Sequence, residues 1–246
     1  MKNLTTLVSN YQNELVVIDR ELKELPAGNL LKRQTAFYHR SGELQVGITK
    51  NPELIKKLCR KKYLSERKKQ IEKNLKSPII KLNAKSIHEL IDEFPSVYQA
   101  VPRNYFHDAT LKEWLKKPYQ KNPYPRDGLT YYSTNKVEFR TKSEALIASE
   151  LERYEIPYLY EVAFKIGNKR IYPDFIIKNP YNGRLIVWEH FGALNREGYE
   201  KKMNDKMTAF RNSSYESGEN LIYTFESDVA DATRISKLIE EVILSG

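Results

Sequence analysis

Two carboxylates stand where carboxylates are expensive, in the stretch YPDFIIKNPYNGRLIVWEHFG from Tyr172 to Gly192. Asp174 lies near the start of one apolar run and Glu189 near the end of the next. Strand interiors disfavour acids, and a buried charge is costly unless something pairs with it. Two acids brought to one face have a chemical use: they can hold a divalent cation. Oxygen ligands with open water positions suit Mg²⁺, with Mn²⁺ as the alternative, rather than zinc. The plainer alternative is a surface aspartate and a strand-end glutamate with no mutual contact.

The turn between the runs bears on this choice. Asn182-Gly183 favours a tight primed hairpin turn. If that dipeptide is the whole loop, Tyr181 pairs with Arg184 and Glu189 lies opposite Ile176. Glu189 is then on the face of Asp174, one diagonal step away. Diagonal neighbours are ~7–8 Å apart, within joint reach of one cation. Lengthening the loop by an even number of residues keeps the two acids on one face. His190 and Trp188 alternate to the other face, where a packed, hydrogen-bonded histidine is favoured over a general base.

The elements around this hairpin read as follows. LTYYS and KVEFR form a hairpin about Thr134-Asn135, and TKSEALIASELERY is an amphipathic helix. Three strands follow: YLYEVAFKI, RIYPDFIIK and RLIVWEH. REGYEKKMNDKMTAFRN is a helix, NLIYTFES a strand and DATRISKLIEEVILS a closing helix. This order predicts a mixed β-sheet with a helix packed on each face.

A helix carrying Glu144, then Pro173-Asp174 in a strand, then Glu189 at the end of the next resembles the PD-(D/E)XK nuclease superfamily. Tyr172-Pro173-Asp174-Phe175 with Trp188-Glu189-His190-Phe191-Gly192 is similar to a bacterial and phage group carrying a YPDF…WEHFG signature. The resemblance is best from about Arg140 to Phe225 and looser upstream, through KPYQKNPY and the N-terminal region. It implies a restriction-endonuclease-like α/β core. It also implies metal ligation by Asp174, Glu189, the main-chain carbonyl of His190, and Glu144. Thr141-Lys142-Ser143-Glu144 is equally a capping box, in which Glu144 folds back on its own helix.

The superfamily lysine belongs two residues after the second acid, where this chain has Phe191. Tyr199, Lys202 and Lys206 share one face of the next helix. The resemblance therefore implies a lysine that has migrated there, Lys202 before Lys206. The bland alternative is a solvated polar helix face.

Charge is distributed unevenly. Residues 1–80 hold 17 Lys and Arg against 8 Asp and Glu, and residues 81–246 hold 24 of each, so the net +9 lies in the first third. Leu4, Val8, Tyr11, Leu15, Ile18, Leu22 and Leu25 form a heptad seam ending at Pro26. Asn29 to Lys50 reads as a hairpin broken at Arg40-Ser41-Gly42. A second helix from about Pro52 to Leu75 folds back to make an antiparallel pair. Its outer face would carry Lys56, Lys57, Arg60, Lys61, Lys62, Arg67, Lys68 and Lys69, a footprint for a phosphate backbone. A solvated helix face explains the same residues. The seam either joins two chains as a homodimer or closes within one.

Three parts follow: 1–80, a basic helix–hairpin–helix arm that binds nucleic acid or oligomerises; 81–128, a partly helical connector; and 129–246, the nuclease-like domain. SIHELIDEF and DATLKEWLKKPYQ are short helices in the connector, the latter capped by Asp108 or Thr110, before the turn-rich KNPYPRDG. Cys59 is the only cysteine, which excludes an internal disulfide and fits a reducing cytoplasm; the resemblance implies a prokaryotic or phage origin. No apolar run approaches a membrane span, and MKNLTTLVSN has no signal-peptide core. The four histidines lack metal-ligand spacing, and there is no GxxxxGK phosphate loop. The expectation is a metal-dependent endonuclease acting on DNA, double-stranded by preference. The alternative is a catalytically inactive nuclease-fold module for DNA binding or assembly.

Overall fold

The computed structural model describes residues 4–77, 85–123, 130–192 and 198–244. Most of the turn-rich KNPYPRDG, from residue 124 on, lies outside the described residues. The chain divides into two compact units, one running to Asp108 and the other spanning Ala109–Leu244. The stretch 81–128, expected as a connector, is shared between them. Among the described residues, no helix is long and apolar enough to cross a membrane.

In the first unit, α1 (Leu4–Glu24) and α2 (Pro52–Leu75) flank a three-stranded antiparallel meander of β1 (Asn29–Arg33), β2 (Ala36–Ser41) and β3 (Leu44–Gly47). The expected single hairpin gains a strand because the chain turns a second time at Gln34, which adopts a positive φ of 52°. Asn51 caps α2 by accepting from Leu54 N at 3.1 Å, with Pro52 at the first helical position. The two helices run antiparallel: Glu14 grips Arg67 at 2.7 and 3.0 Å, and Glu21 grips Arg60 at 2.7 and 2.8 Å. Leu7, Tyr11 and Ile18 of α1 are buried, as are Ile55, Leu58, Tyr63, Leu64 and Ile71 of α2. Of the expected heptad seam, Tyr11 and Ile18 are buried within the chain, whereas Val8, Leu15, Leu22 and Leu25 are half-buried. SIHELIDEF forms α3 (Ile87–Asp92), started by a Ser86–Glu89 capping box. After α4 (Ser96–Gln99) and a 3₁₀ turn at Arg103–Phe106, Phe94, Tyr98 and Phe106 meet edge to face.

The second unit begins with α5 (Leu111–Lys116), shorter than expected, since Pro118 keeps Lys117 out of the helical region. Thr110 occupies its N-cap position without a side-chain cap bond. β4 (Tyr131–Tyr132) and β5 (Glu138–Phe139) pair as expected about Thr134-Asn135, and α6 (Lys142–Arg153) follows. Two expected strands each break in two. YLYEVAFKI becomes β6 (Tyr158–Tyr160) and β7 (Phe164–Ile166), because Glu161 takes a positive φ of 45°. RIYPDFIIK becomes β8 (Lys169–Ile171) and β9 (Phe175–Lys178), interrupted at Pro173, which has no N–H to give a ladder. β7 and β8 form their own hairpin about Gly167.

β10 (Leu185–Phe191) and β11 (Leu221–Phe225) complete a four-stranded sheet in the order β11–β10–β9–β6. β10 runs parallel to β11 and antiparallel to β9, so the sheet is mixed. α7 (Tyr199–Arg211) lies between β10 and β11 in sequence. Its Phe210 packs with Val187, Ile166 and Leu221 on the face that also carries Glu189. On the other face Phe175 packs against Phe139 and Tyr160. α8 (Glu226–Val229) and α9 (Ala232–Leu238) follow β11, and the expected closing helix finishes as a π turn at Ile239–Ile243.

Candidate active site

The hairpin that carries the acids closes differently from a two-residue turn. Asn179 N donates to Arg184 O at 2.8 Å, leaving four residues in the loop rather than two. The Asn179 side chain is the organiser: its Oδ1 accepts from Tyr181 N and Asn182 N, and Gly183 supplies a φ of 74°. The ladder runs from Leu185↔Lys178 to Trp188↔Phe175. One step beyond, Glu189 stands opposite Asp174, not Ile176. The loop grew by an even count, so the shared face survived and the diagonal became a direct pairing.

Asp174 Oδ2 accepts from His190 N at 2.6 Å, which ties the acid to the end of β10. Glu189 is buried, with 1% of its surface exposed. Its Oε2 accepts from Lys206 Nζ at 2.7 Å, and the same ammonium donates to Tyr172 O at 3.3 Å. Among the described residues, Glu189 Oε1 is buried and has no hydrogen-bond partner.

Lys206, not Phe191, is therefore the cation beside the acids. Phe191 is 3% exposed and packs its ring on Tyr223 and Phe225. Lys202 belongs to the same helix, but its side chain lies outside the described residues.

Glu144 forms the capping box: its Oε2 accepts from Thr141 N at 2.9 Å, and Thr141 Oγ1 accepts from Glu144 N at 3.2 Å. The same carboxylate oxygen accepts from Tyr160 OH at 3.0 Å. The His190 ring sits on the opposite face, as alternation requires. Its Nδ1 lies 3.1 Å from Thr224 Oγ1, which also accepts from Trp188 Nε1.

The electrostatics are those of a crowded acidic cluster. Burial, then the neighbouring Asp174, pushes the Glu189 carboxyl up to about 8. Burial and Asp174 push Glu144 up to about 7, and burial raises Asp174. Burial alone would lower the Lys206 ammonium, but Glu189 and Asp174 together raise it. Glu189 and Asp174 thus share one ammonium, Glu144 is repelled by Asp174, and the cluster holds protons tightly. A divalent cation would relieve the same excess of negative charge.

Asp174 and Glu189, one with an oxygen left unpartnered, fit an oxygen-ligated cation of the Mg²⁺ type. Among the described residues, no group of three or more His, Cys, Asp or Glu side chains is arranged to hold a metal ion. Asp174 and Glu189 are the acids that could hold such a cation, and Glu144 is engaged as a helix cap.

Two partners were not legible in the sequence. Tyr160, which holds Glu144, comes from a strand whose side-chain neighbours depend on how α6 packs. Arg140 pairs with Glu161 at 2.9 Å, and Glu161 N donates to Asp174 O at 3.1 Å, so this ion pair buttresses the site from the sheet edge. The positive φ of Glu161 that places it has no sequence signal of the glycine kind.

The basic residues of α2 divide into two groups. Arg60 and Arg67 are 5% and 0% exposed and are consumed by Glu21 and Glu14, so they do not form an outer face. Arg60 also donates to Phe106 O. Lys61 donates to Gly28 O at 3.1 Å. Lys56 pairs with Glu53, Lys62 and Lys69 with Glu66, and Lys68 with Asp19. Lys57 and Lys69 are exposed.

No family model and no solved structure matches the chain. Over 72 residues, 29% of its length, it is 31% identical to the uncharacterized protein MJ1519 of Methanocaldococcus jannaschii. The chain spans 6% of that relative's length.

Proposed function

We propose that the protein is a metal-dependent endonuclease that hydrolyses phosphodiester bonds in DNA on a restriction-endonuclease-like core. The observation that carries this reading is the placement of Lys206. A lysine from the helix after the second acid reaches the acid pair, as the resemblance requires once Phe191 takes the motif position.

Asp174 and Glu189 would hold Mg²⁺ or Mn²⁺, which supplies Lewis acidity and a water of lowered pKa. His190 N fixes the Asp174 carboxylate, limiting its motion. Lys206 can leave Glu189 for a phosphate oxygen and stabilise charge that develops in the transition state. Tyr160 and Thr141 hold Glu144 at the cluster's margin. The test is plasmid incubation with Mg²⁺, Mn²⁺ or EDTA, comparing the wild type with Asp174→Ala. Cleavage that requires the cation and Asp174 is expected; cleavage that survives both EDTA and the substitution would sink the mechanism.

Two observations favour a second reading, a catalytically inactive DNA-binding or assembly module. Glu144 is committed to capping, and Lys206 satisfies Glu189 as a structural counter-ion would. Under that reading the protein binds DNA, cations leave its stability unchanged, and no plasmid is nicked.

A further inference from the structure

Among the described residues, no further strand pairs with β6 at the edge of the central sheet beside the acids. The segment around Lys121 lies along it instead: Ala163 N donates to Gln120 O at 2.7 Å, and Asn122 N donates to Glu161 O at 2.9 Å. Between this segment, the β4–β5 hairpin and β6 lies a cleft of about 650 Å³. That volume falls among ligand clefts of roughly 300–1,000 Å³.

Its wall combines two chemistries. Tyr119, Tyr158 and Tyr160 line it, and each hydroxyl is already engaged, by Trp114 O, Glu152 and Glu144 respectively. The rings are therefore fixed, and their carbon surface is what they can offer a ligand. Leu115 and Val137, 41% and 40% exposed, extend that apolar surface. Lys117, Lys121 and Lys136 also line the cleft and are exposed. Of the acids lining it, Glu138 accepts from Tyr132 OH and Glu161 is neutralised by Arg140. The balance is cationic.

The cleft also adjoins the acid cluster. Tyr160 reaches Glu144, and Glu161 N holds the carbonyl of Asp174. Tyr160 and Glu161 thus belong both to the cleft wall and to the immediate surroundings of Glu144 and Asp174.

We propose that this cleft binds unpaired nucleotides of a DNA strand next to the scissile phosphate, so that the substrate is a fork, flap or overhang rather than a continuous duplex. This rests on the nuclease reading. Bases inside a duplex keep their faces stacked on one another, whereas an unpaired base has a free face for fixed aromatic surface. Lysines around such surface track the backbone without reading sequence.

The test uses binding rather than cleavage, with the full chain in EDTA and fluorescein-labelled DNA read by anisotropy. A forked duplex is compared with a blunt duplex and an RNA fork of the same sequence. The wild type is compared with the triple variant Lys117→Gln, Lys121→Gln, Lys136→Gln, all at exposed positions. The expected result is a preference for the DNA fork of about tenfold or more, as one stacked base can supply. The triple variant binds the fork more weakly, and its salt slope for the fork falls by about two, at ~0.7 per single-strand phosphate neutralised. Equal affinity for fork and blunt duplex, an unchanged salt slope in the triple variant, or tighter binding of the RNA fork would overturn the proposal. A fork preference without any cation-dependent nicking would defeat the nuclease reading alone. Nicking without a fork preference would defeat the cleft alone.

Discussion

Lys206 Nζ lies 2.7 Å from Glu189 Oε2 although seventeen positions separate them in the chain. The helix between β10 and β11 returns its third turn over the sheet face that carries Glu189. This places a cation where the motif residue of the same strand, Phe191, is turned into an aromatic cluster. The relationship makes Lys206 either a catalytic group or a counter-ion, and the two roles respond differently to perturbation.

Replacing Lys206 with methionine keeps the apolar stem and removes the charge. If the lysine stabilises the transition state, single-turnover cleavage falls about 10²–10³-fold, the cost of one missing electrostatic donor, while calorimetry still detects Mn²⁺ binding. Cleavage that stays within a few-fold of wild type would reduce Lys206 to a counter-ion.

The raised carboxyls make a signed prediction about pH. Glu189, ordinarily near 4.5, titrates near 8 in the folded chain, and Glu144 near 7. Between those values the folded state binds more protons than the unfolded one, so stability falls as pH rises from about 4.5 to 8. Without cations, the Tm should drop by roughly 5 °C or more between pH 6 and pH 9, and Mg²⁺ should restore part of the loss. Cation affinity should rise over the same range, with proton release detectable in buffers of different ionisation enthalpy. A pH-independent affinity would contradict the shared-proton cluster.

Arg67 is fully buried against Glu14, with Tyr11 beneath its guanidinium at 5.7 Å. Cutting Glu14 to alanine strands that charge and should cost about 3–5 kcal/mol in urea unfolding. The double replacement Glu14→Leu, Arg67→Leu should recover most of the loss, because a packed apolar pair needs no solvation. Comparable destabilisation in the double variant would mean that the charges themselves set the helix pairing.

The basic helix calls for a selective experiment. Exposed Lys57, Lys69 and Lys73 replaced by glutamine should weaken duplex binding and lower the salt slope by about 0.9 for each phosphate the helix no longer neutralises. Arg60→Gln should lower stability and leave the salt slope unchanged, since Arg60 is spent on Glu21. An unchanged slope in the lysine variant would mean that this helix faces something other than nucleic acid.

Residue types and their spacing along the chain already fix the acids, the face they share and most element types. Alternation in YPDFIIK and RLIVWEH survives any even change of loop length, which is why Asp174 and Glu189 could be paired before their register was known. Spacing also fixes the cap at Glu144, because Thr141 and Glu144 satisfy each other's backbone locally. Tertiary structure decided the rest. Asn179 set the loop at four residues through bonds to two backbone amides, converting a diagonal pair into a direct one. The positive φ of Glu161 split one strand that propensity would have continued, whereas the break at Pro173 follows from the proline itself. Arg60 and Arg67 counted toward a basic surface until α1 brought Glu21 and Glu14 against them. Composition counts charges, whereas only packing decides which meet water and which meet each other. The approach of Lys206 to Glu189 follows the same rule, since distance along the chain carries no information about which helical turn lies over Glu189.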